Sequence, residues 1–167
     1  NRAVDQKILE TIRNGNMTTL NSFEEVLLAE KLIKMHPWAD MAKFARSGGE
    51  ANSIAVRIAR AATGKDNIAI CGYHGWSDWY LSTNLTSINN LNTHHLKGLE
   101  PLGVPRKLKN TVFTFEYNNY EQLEHLIEKK KIGIVKMEVS RNFEPKNNFL
   151  QKIRNLTKKK GIVLIFD

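Results

Sequence analysis

The chain has 167 residues and a formal net charge of +8 at neutral pH, with 41% hydrophobic residues and a mean hydropathy of −0.41. This length and composition predict one water-soluble globular domain. No run approaches the roughly 18 apolar residues of a membrane span, and the N-terminal residues lack the apolar segment of a signal peptide. Because Cys71 is the single cysteine, an internal disulfide is excluded, and we expect a reducing, cytoplasmic compartment.

The positive charge is densest in two lysine runs, at residues 129–131 and 158–160. Each run ends a predicted helix just before Gly133 or Gly161, where cations complement the helix dipole and face water. No aromatic residue interleaves with either run, and no nucleic-acid-binding motif is present. We therefore expect no nucleic-acid partner and no membrane partner.

The first 46 residues carry two helical patterns and one short strand pattern. Apolar residues recur at helical spacing over residues 3–14 and 22–36. Ser22, followed three residues later by Glu25, predicts a capping box at the start of the second helix. Residues 41–46 are predicted to form a short strand.

From residue 50 onward, predicted helices and strands alternate. The helices are 50–63, 119–131 and 146–160, and the strands are 67–71, 111–116, 132–138 and 161–166. This alternation predicts an α/β fold with a largely parallel sheet flanked by helices. Residues 73–110 form a long segment without periodicity, which favours a functional or partner-contact role.

The last predicted strand is apolar throughout, which is typical of a strand covered on both faces. It is followed directly by Asp167, the last residue. Because a buried strand needs covering elements, we expect the chain to be part of a longer protein that extends at both ends.

The stretch FARSGGEANSIAVRIARAATG has two adjacent glycines at a predicted strand-to-helix junction. A helix N-terminus presents unpaired N–H groups and a partial positive charge, and glycines let a ligand approach the backbone. Ser47, Gly48 and Gly49 are therefore a candidate anion site, most often for phosphate; the alternative is a plain turn capped by Ser47. The stretch around Lys65 lacks the P-loop pattern. A stripe of small residues in the following helix is expected to lie on the sheet: Ala51, Ala55, Ala59 and Ala62.

The second candidate site is GYHGWSD, at residues 72–78, directly after a predicted strand. Ligands of parallel α/β sheets bind at the carboxyl ends of strands, where an aromatic ring can stack on a flat ligand. The alternative is that Tyr73, Trp76 and Trp79 form a local hydrophobic cluster. His74 then serves as a structural hydrogen-bonding residue.

Two carboxylates form the third candidate site, because Glu138 and Asp167 each end a predicted strand. A buried carboxylate needs a partner, which is either a ligand cation or, for Asp167, the N-terminus of a following helix. Together with the glycine turn, they lie at one predicted sheet edge. His94 and His95 lack further ligands at metal spacing, so no metal is expected.

A phosphate site, a flat aromatic residue and a strand-end acid suit pyridoxal phosphate. The sequence resembles the class III aminotransferases of fold-type I, especially proteins similar to glutamate-1-semialdehyde 2,1-aminomutase. The resemblance covers nearly the whole chain and is carried by FARSGGEANSIAVRIARAATGKDNI, GYHGWSD, FEYNN and KKKGIVLIFD. The first of these stretches together with YHG is highly specific.

The resemblance implies roles for the candidate residues in cofactor binding. The turn of Ser47, Gly48 and Gly49 would hold the phosphate, and Tyr73 would stack on the pyridine ring. Asp167 would pair with the protonated ring nitrogen, which makes the ring an electron sink.

The resemblance also assigns residues around this core of the site. His74, in YHG, and Glu138 are counted among the cofactor-binding residues, and Asn142 is a substrate-side contact. Val139 stands where the family usually has proline.

The family also implies an activity and an assembly. The expected function is transfer of an amino group between small amino and keto compounds, or its shift within one, by a homodimer. Residues 1–167 would be part of the pyridoxal-phosphate-binding large domain. The Schiff-base lysine would lie downstream of Asp167, so no catalytic residue is assigned in this chain. The alternative is a non-catalytic phosphate- or nucleotide-binding α/β module.

Overall fold

The computed structural model describes residues 1–15, 19–94, 97–140 and 142–167. Within them the chain forms two compact units, Asn1–Phe44 and Ala45–Asp167. None of the described helices combines the length and the apolar character needed to cross a membrane.

The first unit contains helices α1 (Arg2–Asn14) and α2 (Phe23–Met35). The predicted capping box of Ser22 is confirmed, because both of its hydrogen bonds are present. Neither helix has a buried residue. The predicted strand at residues 41–46 is wrong: this segment pairs with no strand in the described chain, and Met41 is largely exposed.

The second unit alternates helices and strands, which confirms the predicted α/β class. It contains helices α3 (Gly48–Thr63), α4 (Asp78–Leu81), α5 (Tyr120–Lys130) and α6 (Phe149–Lys160), and strands β1 (Ile68–Cys71), β2 (Val112–Thr114), β3 (Ile134–Met137) and β4 (Val163–Phe166). The described strands form one sheet in the order β2-β1-β3-β4, and every neighbouring pair is parallel.

Each face of the sheet packs against helices. Ile68 and Ile70 of β1 lie in a core with Val56 and Ala59 of α3. The alternate residues of β1 lie in the opposite core with α5 and α6. Because successive side chains of a strand point to opposite faces, each strand joins both cores.

The packing of β4 and of α3 departs in detail from the sequence pattern. The strand β4 pairs only with β3 among the described residues, and its side chains are half-buried or, for Phe166, 44% exposed. Val163 and Ile165 pack against one core and Leu164 against the other. The face of α3 that is buried consists of Asn52, Val56 and Ala59, whereas Ala51 is exposed. The predicted alanine stripe is therefore only partly buried: Ala59 lies in the core beside β1, whereas Ala51 and Ala62 are exposed.

The long segment at residues 73–110 is more ordered than its sequence indicates. It contains α4 and two short 3-10 turns, and its Trp79 and Tyr80 are buried in the core beside α3. This supports the hydrophobic-cluster interpretation for Trp79. Trp76, by contrast, is 76% exposed.

The lysine runs at residues 129–131 and 158–160 are exposed at helix ends, as predicted.

Truncation of Ile153 tests the packing of α6. Ile153 is fully buried in the core beneath α5 and α6, so Ile153→Ala should lower the free energy of unfolding by about 2–5 kcal/mol. Ile58→Ala on the exposed side of α3 is the control, with an expected change within about 0.5 kcal/mol. Denaturant titration measures both, and equal effects would contradict the assigned core.

Candidate functional site

The N-terminus of α3 is built around the two adjacent glycines. The Ser47 hydroxyl accepts a hydrogen bond from Glu50 N–H at 3.2 Å, so Ser47 is the N-cap. The helix therefore starts at Gly48, two residues earlier than predicted. In the described part of the chain, no hydrogen bond is recorded for the N–H groups of Gly48 and Gly49. Both capping and anion binding are thus compatible with this turn.

The space beside these glycines is open. A Cβ atom built on Gly48 or Gly49 would meet no atom within 4 Å outside its own helix. A Cβ atom on Gly75, in contrast, would lie 3.2 Å from the Gly49 Cα, at a φ of +102°. The absence of side chains lets the loop after β1 approach the start of α3 while the two N–H groups stay accessible.

The Asp167 carboxylate is the hydrogen-bonding centre at the end of β4. Its Oδ2 accepts from Asn52 Nδ2 at 3.0 Å, lies 2.7 Å from His74 Nδ1, and lies 3.1 Å from Lys136 Nζ. The hydrogen bond to His74 and the positive charge of Lys136 hold the pKa of Asp167 well below its usual range, against the effect of partial burial. Asp167 is therefore a carboxylate at neutral pH.

His74 lies behind Asp167 and does not line the open cleft. Its ring is almost fully buried, with Nε2 facing the Cys71 carbonyl at 3.2 Å and Nδ1 facing Asp167. Asn52 also donates to the His74 carbonyl at 3.3 Å. The predicted structural role of His74 agrees with this position, and any contact with a ligand in the cleft runs through Asp167.

A cleft of about 510 Å³ joins the glycine turn to Asp167. This volume lies in the range of small-molecule sites. Its lining combines residues of the three predicted candidate sites with Asn52 and Ser140, which belong to none of them: Ser47, Gly48, Gly49, Asn52, Tyr73, Gly75, Trp76, Glu138, Ser140 and Asp167. Tyr73 is half-buried and packs edge-on against Tyr80.

Hydrogen bonds fix the loop after β1 against α3. The Ser53 and Ser77 hydroxyls are 2.9 Å apart, and Trp79 Nε1 donates to Ser53 Oγ at 3.3 Å. The Tyr80 hydroxyl donates to the Gly72 carbonyl at 3.0 Å. Trp79 and Tyr80 therefore hold in place the loop whose Tyr73 and Trp76 line the cleft.

Glu138 borders two cavities. It lines the cleft described above and also a neighbouring cavity of about 540 Å³, in which Asn142 lies. The structure thus does not bring Asn142 to the Asp167 cleft. Gly72 allows the approach of Glu138, because a Cβ atom there would lie 2.5 Å from Glu138 Oε2.

His94 makes a structural hydrogen bond at the end of β1. His94 Nδ1 accepts a hydrogen bond from Gly72 N–H at 3.0 Å, and His95 lies outside the described residues. No group of three potential metal-ligating side chains occurs in the described ranges.

Sequence reasoning missed Asn52 and Lys136 as site residues. Asn52 is a polar residue on the buried face of α3, beside Val56 and Ala59, and it was not part of the predicted small-residue stripe. Lys136 is a charged residue within a fully buried strand. A lysine in such a strand is itself a signal, because buried lysines require a partner.

The family model described as Aminotransferase class-III matches residues 2–167. The chain belongs to this family. The 3-aminobutyryl-CoA aminotransferase of Cloacimonas acidaminovorans is 31% identical over 98% of this chain and 38% of its own length. The glutamate-1-semialdehyde 2,1-aminomutase of Sulfurisphaera tokodaii is 33% identical over 98% of this chain and 39% of its own length. The resemblance read from the sequence is confirmed.

The fold agrees with this family assignment. An omega-transaminase from Sphaerobacter thermophilus superposes with a TM-score of 0.82 and 26% identity, over 100% of this chain and 40% of that structure. The predicted fold-type I α/β class is confirmed. The chain spans between 38% and 40% of the length of these three proteins.

The depressed pKa of Asp167 predicts a stability that depends on pH. The ionised carboxylate stabilises the fold above the unfolded-state pKa of about 4, and this contribution is lost as the pH falls below it toward the lower folded-state pKa. Asp167→Asn should therefore lower the free energy of unfolding at pH 7. The difference from wild type should narrow as the pH falls below about 4. Denaturant titrations across this range measure it, and a constant difference would contradict the assignment.

Proposed function

We propose that this chain is the cofactor-binding part of a longer pyridoxal-phosphate-dependent enzyme that moves an amino group. The reaction either transfers the group between small amino and keto substrates or shifts it within one molecule. The observation that carries the proposal is that a single cleft contains the paired glycines, Tyr73 and Asp167. The family membership supports it independently.

The phosphate would bind at the start of α3. Gly48 and Gly49 present two N–H groups to open space at the positive end of the helix dipole. A phosphate there would accept hydrogen bonds from both groups. Ser47 borders the same cleft. Its hydroxyl oxygen accepts a hydrogen bond from the N–H of Glu50, which leaves the hydroxyl proton to donate a hydrogen bond to the phosphate.

The donor and acceptor set at the other end of the cleft fits a pyridine ring. Asp167 is an ionised carboxylate, and its three recorded bonds all end at Oδ2. In the described chain, Oδ1 is left to accept the proton of a ring nitrogen, while Tyr73 would lie against the ring. When bound, the cofactor supplies an electron sink for the charge that develops at the substrate carbon.

Lys136 is not proposed as the lysine that binds the cofactor covalently. Its ammonium lies 3.1 Å from Asp167 Oδ2 and its side chain is buried within β3. We propose that residues 1–167 are part of the large domain and that the covalent lysine lies outside them. The relatives are more than twice as long as this chain, which leaves room for it.

The parent enzyme is proposed to be a cytoplasmic homodimer. Helices α1 and α2 have no buried residue, and their apolar side chains are about half exposed, including Val4, Ile8, Leu9 and Leu27. Apolar faces of this kind are usually covered in the assembled protein. A second copy of the enzyme is the proposed partner.

Substitution of Gly49 tests the phosphate site. In the full-length protein, Gly49→Asp should abolish the cofactor absorbance, because a carboxylate would occupy the phosphate position and repel it. The open space at this position allows the protein to remain folded. The control is Ala51→Asp, which adds the same charge in the same helical turn at an exposed position outside the cleft lining.

The control should keep the cofactor. Absorbance spectra after dialysis against pyridoxal phosphate, together with circular dichroism, distinguish the two variants. A folded Gly49→Asp protein with wild-type cofactor affinity would overturn the phosphate assignment.

The proposed assembly is tested by the mass of the full-length protein in solution. Size-exclusion chromatography with light scattering should give twice the chain mass. A monomer with full amino-transfer activity would contradict the homodimer.

A further inference from the structure

Lys136 is a lysine on the inside of the fold. Its side chain is 1% exposed, and it lies in β3, which pairs with β1 on one side and β4 on the other. Its neighbours in register are Ile70 and Ile165. A lysine so far from water requires a negative charge nearby.

Asp167 supplies that charge. The Lys136 Nζ lies 3.1 Å from Asp167 Oδ2. Burial is the largest influence and holds the pKa of Lys136 below its usual value, although the negative charges of Asp167 and Glu138 act to raise it. His74 is the further titratable group at this carboxylate. The carboxylate therefore faces a cation of the protein itself before any ligand is bound.

We propose that Lys136 is a positioning residue that shares Asp167 with the bound cofactor and thereby lowers the proton affinity of the cofactor ring nitrogen. This inference rests on the proposed function. Lys136 and His74 both lie against Oδ2, and Oδ1 is the oxygen without a recorded bond in the described chain. A ring nitrogen bound at Oδ1 would meet a carboxylate whose negative charge is already partly offset.

The physical reason is that two cations near one carboxylate repel each other. A positive charge a few ångströms away, in a site with little water, opposes protonation of a neighbouring nitrogen. Asp167 favours the protonated ring, and Lys136 opposes it. The strength of the electron sink is then set by the pair rather than by Asp167 alone.

The test uses the full-length holoprotein loaded with pyridoxal phosphate carrying 15N at the ring nitrogen. The 15N chemical shift is followed against pH, because it reports the ring proton directly. In Lys136→Met, the titration midpoint should rise by about one pH unit or more. The control is Met137→Leu, an adjacent buried residue on the opposite face of β3, which should leave the midpoint unchanged.

The outcomes separate this inference from the proposed function. A wild-type protein that does not bind the cofactor would overturn the proposed function. Binding with an unchanged or lower midpoint in Lys136→Met would overturn the role of Lys136 alone. Lys136→Gln, which keeps a hydrogen-bond donor without the charge, is expected to raise the midpoint as well.

A measurement on the wild-type holoprotein keeps the inference testable if neither variant folds. With 13C at the lysine ε carbons, the Lys136 resonance is assigned through the backbone of β3, and its chemical shift is followed against pH. The inference requires an ammonium form at pH 7. A neutral amine at that pH would overturn it.

Discussion

One oxygen atom, Oδ2 of Asp167, holds the site together. Its three donors come from different parts of the chain, because Asn52 belongs to α3, His74 to the loop after β1, and Lys136 to β3. Hydrogen bonds to a charged group contribute about 1.5–3 kcal/mol each. Asn52 lies one turn after Gly48 and Gly49, so its bond to Asp167 also fixes the glycine turn relative to the carboxylate.

The parallel sheet makes this convergence possible. Since β1, β3 and β4 run in the same direction, the residues that follow them, Gly72, Glu138 and Asp167, meet at one edge. The edge is crowded, and glycine is required where backbone or carboxylate comes close, as at Gly72 beside Glu138 and at Gly75 beside Gly49. The convergence of these strand ends therefore produces both the open cleft and the close contacts at Gly72 and Gly75.

Local signals in the sequence were sufficient for much of this arrangement. The alternation of predicted helices and strands predicted the parallel α/β sheet. The position of Asp167 directly after a strand predicted a carboxylate with polar partners at the edge of the sheet. Features that depend on distant neighbours were not predictable. Residues 41–46 have a strand pattern but pair with no strand among the described residues. The buried face of α3 depends on the contacts of Asn52 with His74 and Asp167, which are distant in sequence.

The ion pair between Lys136 and Asp167 is asymmetric, and this bears on why a lysine is present in β3. Asp167 is one-third exposed and keeps His74 and Asn52 without Lys136, whereas the buried Lys136 has Asp167 as its recorded ion-pair partner in the described chain. Replacing a buried charge by an apolar side chain of similar volume is often neutral or stabilising, but removing its partner costs about 3–5 kcal/mol. Fold stability alone therefore does not require a charge at this position, whereas the proposed sharing of Asp167 with the cofactor would account for it.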